Sequence, residues 1–262
     1  MTIAALLQPF STAQVVASMI VVFLTAIMRG YTGFGFALVA VPLLALIADP
    51  VTAVPMVLLL EVVGSLQLLP GLWRSAHLRS VMMLVAGALV ATPIGLYGLA
   101  SLPADVMRLV IGLVVLATTC ALAAGLKASG EPGAPATFGV GILSGLLNGA
   151  AAMSGPPVVL FYLNAQTAMH VGRASIILYF LLSDAVAIGF AGASGLLVAS
   201  TAVLAAVTIP ALFLGQVIGT RLFRSALQRH YRIVAIAILL AVSGFAIAQS
   251  VHALWGTGGY GA

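Results

Sequence analysis

The sequence predicts an all-α polytopic membrane protein of two inverted repeats, each with a broken or re-entrant helical segment plus three full spans. Three observations predict this: the composition, the lengths and interruptions of the apolar blocks, and the placement of the loop charges. Of 262 residues, 63% are hydrophobic and 6% charged, and the mean hydropathy is +1.24. A soluble domain carries about 25% charged residues, so this composition cannot make a water-exposed surface. A soluble enzyme, a disordered tail and a coiled coil are excluded at this step.

The elements follow in chain order. A spanning helix needs about 20 apolar residues. The first block, 12–47, is too long for one span and is interrupted at Arg29-Gly30-Tyr31-Thr32-Gly33-Phe34-Gly35. Spans follow at 51–69, 81–100 and 106–126. Lys127–Pro135 is the most polar, turn-rich stretch in the chain and marks the boundary between repeats, 1–131 and 132–262. The next block, 137–164, is again too long and is interrupted between Asn148 and Pro157, through Ser154-Gly155-Pro156. Spans at 173–191, 198–220 and 232–254 complete the second half. Glycine costs about 1 kcal/mol and proline about 3 inside a helix, so each interrupted block reads as two arms joined by irregular backbone.

The halves resemble each other. A shift of 119 residues sets Gly30 on Gly149, Val39 on Val158 and Arg29 on Asn148. A shift of 124 sets Ile94 on Ile218, Gly95 on Gly219, Ser101 on Ser225 and Arg108 on Arg232. A five-residue insertion between the blocks reconciles the two shifts. Loop charge gives the relative orientation. Arg74, His77 and Arg79 lie in 70–80, while the matching loop 192–197 carries no charge. Arg221, Arg224 and Arg229 lie in 221–231, while 101–105 holds a single Asp. By the positive-inside rule corresponding loops face opposite sides, the signature of an inverted repeat. Counting crossings, 12–47 must enter and return from outside and 137–164 from inside. Both ends of the chain then face outward.

The remaining counts remove other classes. One cysteine, Cys120, allows no intrachain disulfide, CxxC redox pair or cysteine-rich metal site. The sequence offers no HExxH or paired histidine ligands, so neither a metal nor a cofactor is expected. The pI near 9.9 comes from scattered basic residues that read as topology determinants, so no nucleic-acid partner is expected. Met1–Ser11 contain no Lys or Arg, which argues against a cleavable signal peptide. No G-x-x-x-x-G-K-[ST] motif is present, which argues against ATP-driven transport within this chain.

At the two interruptions the sequence resembles the TauE/SafE family of sulfite and organosulfonate exporters. Gly30 to Leu44 reads G-x-x-G-F-G followed by V-P-L-L, like the family's first repeat motif. Asn148 to Leu160 reads N-G-x-x-x-M-S-G-P-P-V-V-L, like its second. Phe36-Ala37 stands where extra glycines are usual, and Ser154 where glycine is common. The resemblance covers the full length. It implies a secondary transporter in the bacterial inner membrane that exports sulfite or a short organosulfonate. Another small anion, such as a carboxylate, is the alternative.

The residues themselves point to an anion. Backbone that leaves the helix at membrane depth is tolerated only when buried in protein or lining a wet cavity. A second arm that starts there aims free N–H groups and a helix dipole at the membrane middle. Candidate binding residues are Arg29, Gly30, Gly33 and Gly35 in the first break and Asn148, Gly149, Ser154, Gly155 and Pro156 in the second, with Arg173. The competing reading is packing, since Gly141, Gly145 and Gly149 form a GxxxG ridge. Arg29 has a competing reading as an interface arginine, and Arg173 as a positive-inside residue. Glu61 and Asp184 are the acids within spans, 123 residues apart. Acids at that depth are costly and usually functional, so they read either as proton or cation coupling residues or as structural partners for Arg29. Gln67, Gln216 and Tyr162 read as interhelical hydrogen-bonders. A rival class is an intramembrane serine protease built on Gly192-Ala193-Ser194-Gly195 with His230 or His252. The expected partners are a small anion, the bilayer and a coupling ion, and a homodimer is compatible with the sequence.

Overall fold

A computed structural model describes residues 3–32, 35–70, 72–124, 133–164 and 168–224, with single helical positions at 244 and 248. The described chain forms α1 (Ile3–Leu7), α2 (Thr12–Thr32), α3 (Phe36–Ile47), α4 (Pro50–Leu68), α5 (Leu78–Ser101) and α6 (Ala104–Ala124). It continues with α7 (Ala134–Ala151), α8 (Gly155–Asn164), α9 (Met169–Ala193) and α10 (Ala199–Arg224). No strand occurs among the described residues. Seven of these helices are long and apolar enough to cross a membrane, namely α2, α4, α5, α6, α7, α9 and α10. Apart from positions 244 and 248, the predicted span 232–254 lies outside the described residues, as do the repeat boundary at 131/132, Gly33, His230 and His252.

Local chemistry sets the helix ends. Ser11 and Gln14 bond each other's backbone N–H groups at 3.2 and 2.9 Å, a capping box that starts α2. Pro50 opens α4 at a position where its missing N–H costs nothing. Gly35 precedes α3 with φ of 90°, a left-handed conformation that side chains resist. At the second break Ala152 takes a left-handed conformation, φ 52°, and its N–H closes on the Asn148 carbonyl at 2.7 Å.

Both interrupted blocks are hairpins that return to the end they entered from. The Gln14 side-chain N–H donates to the Ile47 carbonyl at 2.8 Å, tying the start of α2 to the end of α3. Arg108, at the start of α6, donates to the Ala45 carbonyl and pairs with Asp49 and Asp105. The first hairpin therefore opens at the end where 101–105 lies. The second opens at the opposite end of α5, where the Ser80 and Tyr162 hydroxyls bond at 2.7 Å. There the His77 N–H also reaches Ser175 in the first turns of α9, at 2.8 Å. The return arms α3 and α8 have 12 and 10 residues. At 1.5 Å per residue they reach about 18 and 15 Å, half of a bilayer core of about 30 Å.

The outgoing arms lie in backbone contact with helices of the other half. A Cβ on Gly149 would meet the Thr92 carbonyl oxygen and sit 2.8 Å from the Leu96 nitrogen. A Cβ on Gly30 would meet the Gln216 carbonyl. Gly95 meets Leu146 and Ala150, and Gly219 meets Ile27 and Tyr31. The shifts of 119 and 124 found in the sequence exchange the members of these pairs: Gly30 with Gly149, Gln216 with Thr92, Gly219 with Gly95 and Ile27 with Leu146.

Candidate functional site

Arg29 lies on the last turn of α2 and is 1% exposed. An unpaired arginine is costly at such depth, and here α4 answers it. Glu61 forms an ion pair with the Arg29 Nη1 group. The Nη2 group donates to Ser65 Oγ at 2.8 Å and to the Glu61 carbonyl at 3.3 Å. The guanidinium carbon stands 6.0 Å from the centre of the Phe36 ring, at the head of α3. Its Nε–H has no hydrogen-bond partner. Gly64 makes the room: a Cβ there would sit 3.3 Å from Arg29 Nε and 2.5 Å from the Gln216 amide nitrogen.

The second half answers with different chemistry. Asp184, 1% exposed, has no hydrogen bond to either carboxylate oxygen. Asn148 on α7 is fully buried too, and both of its amide atoms are also without a hydrogen bond. The helices that carry the two acids, α4 and α9, pack against each other. On α9 the Tyr179 hydroxyl donates to Ser144 Oγ at 2.7 Å. Ser144 Oγ in turn donates to the Ser154 carbonyl at 2.5 Å, which anchors the second tip. Ala151, Ala152 and Met153 at that tip share a buried apolar cluster with Phe36–Val41 of the first hairpin's return arm.

The sequence-predicted residues divide accordingly. Arg29 and Glu61 come together, and Asn148 and Asp184 are buried with their side-chain polar atoms unbonded. Gly30 and Gly149 are helical and serve backbone contact with α10 and α5, which is the packing reading. The breaks are shorter than predicted, because Arg29 to Thr32 and Asn148 to Ala151 remain helical. Gly35 sits at the first tip with open space beside it. Ser154 is buried at the second tip, and Gly155 and Pro156 form the first turn of α8, with Phe180 against Gly155. Arg173 is elsewhere: it lies near the start of α9, two residues before Ser175, at the end where the second hairpin opens. Gln216 joins the Arg29 group, whereas Tyr162 is engaged by Ser80 far from it. Ser194 is exposed and donates to the Phe190 and Ala191 carbonyls, which makes it a helix-end hydroxyl.

Sequence reasoning missed Gly64, Ser65, Phe36, Ser144 and Tyr179. Two of these carry a readable signal, since Gly64 and Ser65 follow Glu61 by three and four residues and so share its helix face.

A buried fixed cation, two acids and two hairpin tips inside an apolar helical bundle are the furniture of a membrane transporter. The family described as "Sulfite exporter TauE/SafE" matches residues 18–246. The chain belongs to the TauE/SafE family. This family's members are membrane transporters, and a similar curated protein is named "Probable sulfite/organosulfonate exporter TauE", from Cupriavidus necator. It is 27% identical over 231 residues, covering 85% of this chain and 89% of that protein. No solved structure matches. As a TauE/SafE protein the chain is a multi-pass membrane protein, and its two hairpins fall on the two motifs that carried the resemblance.

Proposed function

We propose that this protein is a secondary transporter that exports sulfite or a short organosulfonate across a bacterial inner membrane by alternating access. The observation that carries the anion class is Arg29, a guanidinium buried between α2, α4 and α3 with its Nε–H unpartnered. The sulfur identity is supported by the family and by the relative's name.

Two inverted repeats are the proposed machinery. The exchange of Gly30·Gln216 for Gly149·Thr92 under the sequence shifts supports a two-fold relation between halves. The hairpins opening at opposite ends of α5 support its inverted sense. In such a protein one repeat moves against the other about a site near the midplane. The anion meets Arg29 at the first tip and the start of α8 at the second, with Arg29 offsetting the loss of water around the charge. Glu61 holds Arg29 in place until the anion arrives.

Purified protein in liposomes, with efflux of sulfite, sulfoacetate, taurine and acetate compared side by side, tests this reading. Sulfite or a sulfonate should move and acetate should not. Acetate moving best would favour the carboxylate alternative. No movement of any of the four would refute transport of this anion class.

A further inference from the structure

The Arg29–Glu61 pair leaves one polar neighbour unused. Gln216 on α10 is 1% exposed, and neither its amide oxygen nor its amide nitrogen has a hydrogen bond. A buried amide that pairs with nothing is costly. Its backbone is set by contact with α2, where a Cβ on Gly30 would meet the Gln216 carbonyl. Its side chain reaches α4, where Gly64 leaves room for it.

The position of that amide beside Arg29 gives it a use. The Gln216 amide nitrogen lies 2.5 Å, and Arg29 Nε 3.3 Å, from the Cβ position of Gly64. One oxygen accepting from two nitrogens at about 2.9 Å each lets them stand up to about 5.8 Å apart. The two distances from Gly64 keep these nitrogens within that span. Both nitrogens are donors only, so neither can satisfy the other. A negatively charged oxygen satisfies both, and the guanidinium makes one of the two bonds charge-assisted. Arg29 need not leave Glu61 for this. Its Nη1 keeps the Glu61 carboxylate and its Nη2 keeps Ser65, while Nε, the Arg29 nitrogen beside Gly64, has no partner.

We propose that Gln216 is a second ligand of the transported anion, its amide N–H and the Arg29 Nε–H together receiving one anion oxygen beside Gly64. This rests on the transport reading above and adds α10 to the anion site. The site then draws on both halves of the chain, with Arg29 and Gly64 from the first and Gln216 from the second.

Three purified full-length proteins test this: wild type, Gln216→Met and Gly64→Ala. Methionine keeps the length and apolar bulk of the side chain and removes its donors. Sulfite binding to Gln216→Met, titrated by calorimetry in detergent, should weaken about tenfold, the loss of one hydrogen bond to a charged group. Its unfolding midpoint without sulfite should equal or exceed that of wild type, because an unpartnered buried amide is gone. Gly64→Ala keeps Gln216 but sets a Cβ against its amide, the movable end of the side chain. That variant should fold and should also bind sulfite more weakly. Wild-type affinity in either variant overturns the proposal. A lowered midpoint in Gln216→Met overturns it too, since the amide would then be bonded within the protein. Wild-type vesicles that move no sulfite refute the transport reading, and the calorimetric titration still decides Gln216. Wild type that binds no sulfite overturns the proposal.

Discussion

Glu61→Met should destabilise this protein more than Arg29→Met, and the double variant should recover most of the loss. The pair is buried, with side-chain exposures of 1% and 8%. Removing one partner of such a pair typically costs about 3–5 kcal/mol, because the other charge stays behind. Arg29 keeps Ser65 and the residue-61 carbonyl in Glu61→Met, which places that cost toward the lower end. Arg29→Met should cost less still, since an orphaned carboxylate can take up a proton and a guanidinium cannot lose one. With both charges replaced by apolar side chains of similar length, stability should be near wild type, or about 1–4 kcal/mol higher. Thermal and denaturant unfolding of the four proteins in one detergent closes the cycle. Single losses that add within about 0.5 kcal/mol in the double variant would show no coupling. The ion pair would then not be what holds α2 to α4 at the first tip.

The other predictions concern the frame. Gly30→Ala and Gly149→Ala should each cost about 1–3 kcal/mol, and by similar amounts, because each places a Cβ on the backbone of a partner helix; unfolding midpoints check this. Gly35→Ala should lose about 1–2 kcal/mol from its left-handed backbone alone, since nothing stands within 4 Å of its Cβ position. Gly35→Asn should lose less, and an equal loss would point to an unrecognised contact at the tip. In a Cys120→Ser background, Ser75→Cys and Ser194→Cys should be labelled by an impermeant reagent from opposite sides. Labelling from one side would end the inverted arrangement.

The sequence carried much of this architecture because bilayer thickness restricts what an apolar block can do. The described spans coincide with the predicted ones to within a few residues. The obligation of both long blocks to return follows from loop charge and parity alone. The extent of the breaks was not legible. Helix propensity reads Gly30 and Gly149 as interruptions, yet in a membrane a glycine that touches another backbone can strengthen a helix pair. Their partners, Gln216 and Thr92, lie far away in sequence, so only the fold distinguishes packing from breaking. The Glu61 ambiguity was likewise tertiary: a coupling acid and an arginine's partner look the same along the chain. Geometry separates the two acids: Glu61 has an arginine, and neither oxygen of Asp184 has a hydrogen bond. Arg173 falls near the head of α9, at the end where the second hairpin opens.

In the proposed function Arg29 binds the transported anion. The most direct test of this is sulfite efflux from liposomes holding equal amounts of wild type and the Arg29→Met/Glu61→Met protein. The double variant keeps the helix packing while removing the guanidinium. Sulfite should leave vesicles holding wild type, and none above protein-free vesicles should leave those holding a double variant that unfolds at or above the wild-type midpoint. Wild-type efflux from that folded double variant would contradict it, and would place the anion away from the first hairpin tip.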